Sequence, residues 1–468
     1  MGLVVAGVSL LLATCFDFRT SVWGTFKNPE TETMLKRFIA AKTSQANAAT
    51  NNLPSEFQTM LKYAQRGNWL AMSNAMQELQ GRIGYRSSLV YGMPHWHGLR
   101  GAVEDFISDT AAKTGGHWEP EPPPRLDETP GQALEEIRGA LEAFVLGDEQ
   151  YTTAYGREII ASIPRGGVFL GDPNSGKNIV PAMCRSQANG DPFFTLAQNE
   201  LAKYGYRQYL HEMYGKAIYI VTDHDVEKCH ADIMAEIMRR PSGTKITAYP
   251  YMDLNGMLLK VMFEKNPERE FFINEGFPVD WTYPQLEPHG LIFKLNRQAA
   301  PVLADEIVHR DHEYWTKLIQ PMVGDWLQDN TSIAEIAAFA EKTYGLRNFN
   351  GFKGDPRYIQ NAYTQRMYSR SRAAIAGLYQ WRAEHASATA VKERLLREAD
   401  FAFRQAWALA PDSLETVYRH VNFLLSQSRV QESVAVAELA ASIATQRGAP
   451  QENYVEMVKQ LKAYVPPR

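Results

Sequence analysis

The sequence predicts an α/β central domain with a partly parallel sheet, flanked by N-terminal helices and a C-terminal α-helical region with tetratricopeptide-like repeats. From about residue 155 to 300, short apolar runs alternate with helical patterns, which is typical of strands connected by helices. Before and after this stretch, apolar residues recur every three or four positions, which indicates helices that bury one face. We therefore divide the chain at residues 1–20, 21–150, 151–300 and 301–468.

The first segment predicts attachment to a membrane. Residues Gly2 to Cys15 are apolar and uncharged, but they are fewer than the roughly 20 residues that span a bilayer. They also lack the basic start of a secretory signal. Leu12-Ala13-Thr14-Cys15 approaches a lipoprotein cleavage box, and the same residues fit the end of a transmembrane helix encoded further upstream. Each interpretation places the remaining chain on the extracytoplasmic (periplasmic) side, and a buried N-terminal helix or strand is the alternative.

Residues 21–150 predict a helical region interrupted by a linker. Helical spacing of apolar residues covers much of residues 30–115, and the pair Gly67-Asn68 indicates a turn between two helices. The stretch "HWEPEPPPRLDETPGQ", residues 117–132, is rich in proline and acidic residues. Such a composition cannot form a packed core, so it predicts a loop or linker.

The central domain is predicted from short apolar runs separated by helical patterns. Helices are predicted between several of these runs, as in "NELAKYGYRQYLHEMYG" and "VEKCHADIMAEIMRR". A sheet with such connections is at least partly parallel. The strand candidates, in chain order, are "GGVFLGD", "FFTLAQN", "AIYIVTD", "KITAYPYM", "REFFINEGF" and "HGLIFKLNR".

The C-terminal helices show a repeat signal that begins at about residue 369. Small and aromatic residues in "EADFAFRQAWALAPDS" match the second helix of a tetratricopeptide repeat, and small residues recur about 34 positions later. Stacked helix pairs of this kind expose a concave face that holds a protein partner. A plain helical hairpin bundle is the alternative. The residues that carry the signal are Ala399, Phe403, Ala406 and Pro411, then Ser433, Ala437 and Ala440.

The stretch "GGVFLGDPNSGKNIVPAM" approaches the phosphate-binding pattern G-x-x-x-x-G-K-S/T through Gly171, Gly176 and Lys177. Asn178 occupies the place of the magnesium-binding hydroxyl, and Pro181 falls in the first turns of the required helix. We therefore predict a polar loop at the end of a strand, which lines a ligand crevice. The alternative is a nucleotide-binding enzyme with a degenerate P-loop at residues 171–178.

The predicted ligand surface combines this loop with polar and aromatic residues further along the chain. Trp281 and Tyr283 offer a stacking platform for a sugar ring, because aromatic faces pack against C–H groups; a buried connection under the sheet is the alternative. No catalytic residue, metal or cofactor is predicted, and the pairs His95/His97 and Asp225/Cys229 provide too few ligands for a metal. The predicted ligand-binding residues are Asp172, Asn174, Lys177, Asn199, Asp223, Trp281 and Tyr283.

Composition excludes some partners. The formal net charge is only −4 and no long basic run occurs, so nucleic acid is not an expected partner. Three cysteines are too few for a disulfide scaffold. Cys184 and Cys229 are interpreted as two buried thiols, with a bridge between them as the alternative.

Five segments are distinctive when taken together: "GGVFLGDPNSGKNIVPAM", "NGDPFFTLAQNELA", "YGYRQYLHEMYG", "FPVDWTYPQLEPHGLIFKLNR" and "SRSRAAIAGLYQWRAE". They resemble the soluble C-terminal part of protein-O-mannosyltransferase-like proteins, which are bacterial GT-C-type membrane proteins often ending in tetratricopeptide repeats. The resemblance covers about residues 155–440. It implies catalysis on loops between transmembrane helices that are missing here, so it implies no catalytic residue in this chain. We expect a membrane-tethered binding or assembly module, with a glycan or lipid-linked sugar as ligand; a glycan-processing enzyme is an alternative.

Overall fold

The computed structural model describes residues 21–50, 53–83, 129–171, 178–184, 190–239, 250–274, 279, 281–449 and 452–463. These residues are mostly helical and include five short strands of mixed pairing. They form two compact units. The N-terminal unit contains residues 21–142 and 164–269, and the C-terminal unit contains residues 143–163 and 270–463.

The helices and strands are numbered in chain order. In the first half they are α1 Pro29–Ala48, α2 Ser55–Gln65, α3 Trp69–Ile83, α4 Thr129–Leu146, α5 Glu149–Ser162, β1 Val168–Gly171, α6 Ile179–Met183, β2 Phe194–Ala197, α7 Tyr204–Tyr214, α8 Asp223–Arg239 and α9 Pro250–Lys265. In the second half they are β3 Phe271–Ile273, β4 Leu286–His289, β5 Ile292–Leu295, α10 Asp305–Val323, α11 Ile333–Ala340, α12 Pro356–Gln360, α13 Ala362–Glu384, α14 Thr389–Leu409, α15 Leu414–Ser426, α16 Val430–Gln446 and α17 Glu452–Ala463.

The parallel part of the predicted sheet lies in the N-terminal unit. Strands β1 and β2 pair in parallel, with Val168 opposite Phe194. All four residues of β1 are buried, which explains its continuous apolar run. Helix α7 bonds the backbone of β2 through tyrosine side chains: Ala197 donates its N–H to the Tyr206 hydroxyl at 2.6 Å, and Thr195 donates to the Tyr214 hydroxyl at 3.0 Å. These side chains satisfy backbone groups that no further strand pairs.

The strand predicted at "AIYIVTD" does not form. Residues 217–222 run without strand pairing, although Ile220 and Val221 are buried. The side chain of Asn266 takes the place of a neighbouring strand, because its oxygen accepts from the Tyr219 N–H at 2.7 Å and its amide donates to the Tyr219 carbonyl at 3.0 Å. One amide side chain therefore pairs both backbone groups of Tyr219, in the middle of the apolar run. The strand predicted at "KITAYPYM" falls mostly outside the described residues, and its last three residues begin helix α9 instead.

A buried lysine joins three helices of the N-terminal unit. The side chain of Lys42 in α1 is 3% exposed, and its Nζ lies 2.6 Å from Glu136 Oε2 in α4. Nζ also donates to the Tyr209 hydroxyl of α7 at 2.7 Å, and that hydroxyl donates to Glu136 Oε1 at 2.6 Å. Each member of this triad therefore bonds the other two. Burial, together with the charge of Glu136, raises the pKa of Tyr209 well above its usual value, so the hydroxyl keeps its proton.

The C-terminal unit contains the antiparallel strands. Strand β5 pairs on one side with β3 and on the other with β4. The sequence did not predict β4, whose residues alternate between buried and partly exposed. It contains Pro288, which has no backbone N–H, and such a residue is tolerated because β4 ends the sheet.

The helical C-terminal region is confirmed, and tetratricopeptide-like repeats remain a prediction. Helix α13 packs against α14, α15 against α16, and α16 against α17. The small residues Ala399, Ala406, Ala437 and Ala440 are completely buried, as close packing of paired helices requires. Among the described residues, no helix has both the length and the apolar character needed to cross a bilayer.

Candidate functional site

A groove at the end of α13 is the candidate site in the C-terminal unit. Its volume is about 280 Å³, just below the roughly 300 Å³ at which ligand pockets begin. It therefore suits a small ligand or one ring of a longer chain. The residues that line it are Pro284, Ala299, Ala300, Pro301, Trp381, Arg382 and His385.

Two segments and the last turn of α13 shape the groove. A short 3-10 helix, Tyr283–Gln285, precedes β4 and provides one wall. The other wall follows β5, and it is tied to the first because the Ala300 N–H donates to the Pro284 carbonyl at 2.9 Å. Prolines and alanines make both walls apolar and restrict their backbone.

Aromatic rings stack along the groove. The ring centroids of Tyr283 and Trp381 lie 5.2 Å apart, with an angle of 27° between their planes. Those of Trp381 and His385 lie 4.0 Å apart at 18°. Trp381 and His385 are four residues apart on α13, so they share one face of the helix. Trp381 and His385 line the groove, whereas Tyr283 is not a lining residue and packs against Trp381. The two lining rings combine apolar ring surface with polar edges.

Arg382 places a buried positive charge at the groove. The residue is only 5% exposed. Its guanidinium donates to the carbonyls of Ala300, Pro284 (2.9 Å) and Leu286 (3.0 Å), while its Nε has no hydrogen-bond partner among the described residues. Burial lowers its pKa from the usual value, and no carboxylate contributes to that shift. The guanidinium thus cross-links the two walls without a counter-ion in the described part of the chain.

His385 caps α13, and only one of its two ring nitrogens has a hydrogen-bond partner among the described residues. Its Nδ1 lies 2.8 Å from the Trp381 carbonyl. Because a carbonyl only accepts, Nδ1 carries the proton and donates it. In the neutral ring Nε2 is then an acceptor, and His385 is exposed. A ligand hydroxyl in the groove can donate to this nitrogen.

Apolar and aromatic side chains make up most of the groove lining. Among the described residues that line it there is no carboxylate, hydroxyl or thiol, which are the groups used in glycoside hydrolysis or nucleophilic catalysis. Apolar walls with a few polar groups are typical of sites that hold an amphipathic ligand such as a sugar ring.

The aromatic pair predicted from the sequence lies in the C-terminal unit. Tyr283 contributes to the groove through its stack on Trp381. Trp281 is partly exposed two residues earlier and does not line the groove.

The other predicted ligand residues belong to the N-terminal unit. Asp172, Asn174 and Lys177 lie outside the described residues. Asn199 is in a 3-10 helix, and its buried side-chain oxygen has no hydrogen-bond partner among the described residues. Asp223 accepts a hydrogen bond from Arg207, which also donates to the carbonyls of Leu201 and Ala202. Asp223 therefore anchors the start of α8 to α7.

The described residues that follow the glycine-rich loop give little support to a phosphate site. Helix α6 has five residues, of which Pro181 is one, so few backbone N–H groups can point at an anion. The side chain of Asn178 lies against α4, where a methyl group added to Gly139 would come within 1.9 Å of Asn178 Nδ2. Asn178, which occupies the sequence position of the magnesium-binding hydroxyl, is therefore packed against a helix.

Cys184 and Cys229 are free and buried, as interpreted from the sequence. Burial raises the pKa of the Cys184 thiol to about 12, so it is not a nucleophile near neutral pH. Within the described ranges, no group of three or more His, Cys, Asp or Glu residues is placed to hold a metal ion.

Comparison of the chain with protein-family models, curated proteins and solved structures found no match. The site therefore has to be interpreted from its own geometry.

Sequence reasoning missed Trp381, Arg382 and His385. Their segment, "SRAAIAGLYQWRAEHA", reads as one helix of a hairpin. The available signal was the spacing of Trp381 and His385, which puts two flat rings on one helical face at an exposed helix end. Nothing in the sequence shows that Tyr283, about a hundred residues earlier, packs on the same ring.

Proposed function

We propose that this chain is a binding module without its own catalytic centre, and that its C-terminal unit holds a sugar ring in the groove beside Trp381. The observation that carries the proposal is the pair of rings Trp381 and His385 in the lining of an apolar groove of about 280 Å³, with Tyr283 packed against Trp381. Sugar rings have apolar C–H faces and hydroxyl edges. Such a ligand matches an aromatic wall with a histidine acceptor at its rim.

The wider setting remains the one predicted from the sequence. The apolar segment Gly2 to Cys15 supports a membrane-tethered module on the extracytoplasmic side, and the segments that resemble glycosyltransferase-like membrane proteins support a glycan or lipid-linked sugar as ligand. The C-terminal helices would then contact a protein partner.

The test is a binding screen of the full chain against immobilised neutral and charged oligosaccharides. The variant Trp381→Ala removes the central ring of the stack and should weaken binding about tenfold, because an aromatic contact of this kind contributes about 1.5 kcal/mol. Tyr418→Ala is the matched control, since Tyr418 is an exposed aromatic residue on another helix of the same unit. Tyr418→Ala should leave binding unchanged. Equal affinities for the wild type and Trp381→Ala, or no binding of any oligosaccharide, would contradict the proposal.

A further inference from the structure

Arg382 raises the question of which ligand the groove prefers. Its guanidinium is 5% exposed and bonds only to backbone carbonyls. Burying a charge normally requires an opposite charge, because the loss of hydration costs several kcal/mol for each ion. The dipoles of the three backbone carbonyls compensate part of the lost hydration of the Arg382 charge. Among the described residues, no carboxylate forms an ion pair with it.

Other buried arginines of the same unit show the usual solution. Arg372, which is completely buried, has Asp311 at 2.7 Å, and Arg404 has Asp400 at 2.9 Å. Both pairs lie among the packed helices of the C-terminal region. Arg382 is the buried arginine that lines the groove, and it is the one without a carboxylate in the described part of this unit.

Arg382 carries the one permanent charge among the described residues that line the groove. Its Nε is buried and unpartnered among the described residues. The nearest lining side chains, Trp381 and His385, carry no negative charge, and the indole of Trp381 lies 5.9 Å from the guanidinium carbon. In an apolar groove such a charge is screened less than it would be in water.

We propose that the natural ligand is an acidic sugar, whose carboxylate supplies the counter-ion of Arg382 while its ring lies along the aromatic wall. This inference rests on the proposed function, because it presupposes that the groove holds a sugar. A neutral sugar would leave the buried charge unmatched. A carboxylate on the ring would offer two oxygens to the guanidinium side of the groove and receive a charge-assisted hydrogen bond.

The experiment compares three forms of one tetrasaccharide on the wild-type full chain. These are the neutral hexose form, the uronate form with carboxylates at C6, and the methyl ester of the uronate. Gluco, galacto and manno series are tested in parallel by calorimetric titration. The ester retains the shape of the uronate and removes its charge. We expect the uronate of at least one series to bind about tenfold or more tighter than its ester and its neutral form. We also expect this preference to shrink as sodium chloride is raised.

The outcomes separate the two proposals. Equal binding of the uronate and its ester, or tighter binding of the neutral form, would overturn the acidic-sugar inference and leave the sugar site standing. Failure of all forms to bind would refute the proposed function as well.

Two variants localise the charge preference. Arg382→Lys should keep the preference for the uronate over its ester, and Arg382→Gln should bring the ratio of uronate affinity to ester affinity down to about one. Loss of the wall cross-link can unfold Arg382→Gln, and the comparison of uronate with ester on the wild type decides the inference without it. A folded Arg382→Gln variant that retains the full preference would also overturn the inference.

Discussion

The buried pair of Asp311 and Arg372 should be the most sensitive point of the C-terminal unit. Asp311 Oδ2 accepts from Arg372 at 2.7 Å and from the Tyr379 hydroxyl at 2.8 Å. The exposed fractions of the Asp311 and Arg372 side chains are 2% and 0%. Arg372 and Tyr379 both belong to α13, which also carries Trp381. The pair therefore fixes the helix that presents the candidate site.

The substitution Asp311→Leu leaves the buried Arg372 charge without its counter-ion, with only Gln405 still accepting from its Nε at 2.8 Å, and deprives the Tyr379 hydroxyl of its acceptor. Removing one member of a buried ion pair costs about 3–5 kcal/mol in the free energy of unfolding. The lost tyrosine bond is part of the same network, so its cost is not added in full. We expect about 4 kcal/mol. The double variant Asp311→Leu/Arg372→Met removes both charges and should recover about 2 kcal/mol of that loss.

Urea unfolding followed by tryptophan fluorescence measures this change. Trp315 is completely buried, and its ring lies 5.2 Å from the Arg372 guanidinium carbon, so it reports on this core. The control is Glu313→Gln on the same helix, because Glu313 is half exposed and its ion pair with His309 is a surface pair. It should change the free energy of unfolding by less than about 1 kcal/mol. A loss below about 1 kcal/mol in Asp311→Leu, or a double variant less stable than Asp311→Leu, would refute the reasoning.

Three further predictions concern other charged groups. Lys42→Met should destabilise the N-terminal unit by about 3 kcal/mol in urea unfolding, because it leaves the Glu136 carboxylate, whose side chain is only 13% exposed, without its counter-ion; a loss under about 1 kcal/mol would contradict the triad. A hydrogen bond to Glu398 raises the pKa of His312 above 6.5. The stabilisation of the folded protein by protonated His312 should therefore be complete below about pH 6.5 and be lost as the pH rises through the raised pKa of His312. The melting temperature of His312→Gln should then lie below that of the wild type, and the difference should be larger at pH 5.5 than at pH 8.5. An equal difference at both pH values would contradict this prediction. Asp223→Asn should cost about 1 kcal/mol or less, because the Asp223 side chain is 62% exposed; a loss above about 2 kcal/mol in the same unfolding assay would show a stronger role for its bond to Arg207.

Local patterns were enough to predict much of the secondary structure. The strand at Val168–Gly171 was predicted from one continuous apolar run, and the helices of residues 362–446 from the spacing of nearby apolar residues. Both predictions are confirmed. The strand predicted at residues 217–222 was wrong, because the backbone of this run bonds to the side chain of Asn266, more than 40 residues away, and not to a neighbouring strand. An apolar run predicts burial, and it does not say what satisfies the buried backbone.

The candidate site was predicted only in part for a similar reason. Tyr283 was recognised as a stacking residue from its local aromatic surroundings. The ring on which it stacks, Trp381, belongs to a helix that the sequence presents as part of a hairpin. The burial of the Arg382 charge could not be predicted either. An arginine near a helix end is usually solvated, and only the structure shows that carbonyl groups from distant segments surround this one.

Photolabelling tests the sugar site most directly. A bound oligosaccharide that carries a diazirine on one ring is irradiated with the full chain, and the labelled peptides are identified by mass spectrometry. A ligand held in the groove should label the peptides that contain residues 281–301 and 381–385, and excess unlabelled oligosaccharide should suppress that label. Competed labelling that falls elsewhere, for example on residues 168–199, with none at Trp381 or His385, would contradict the account.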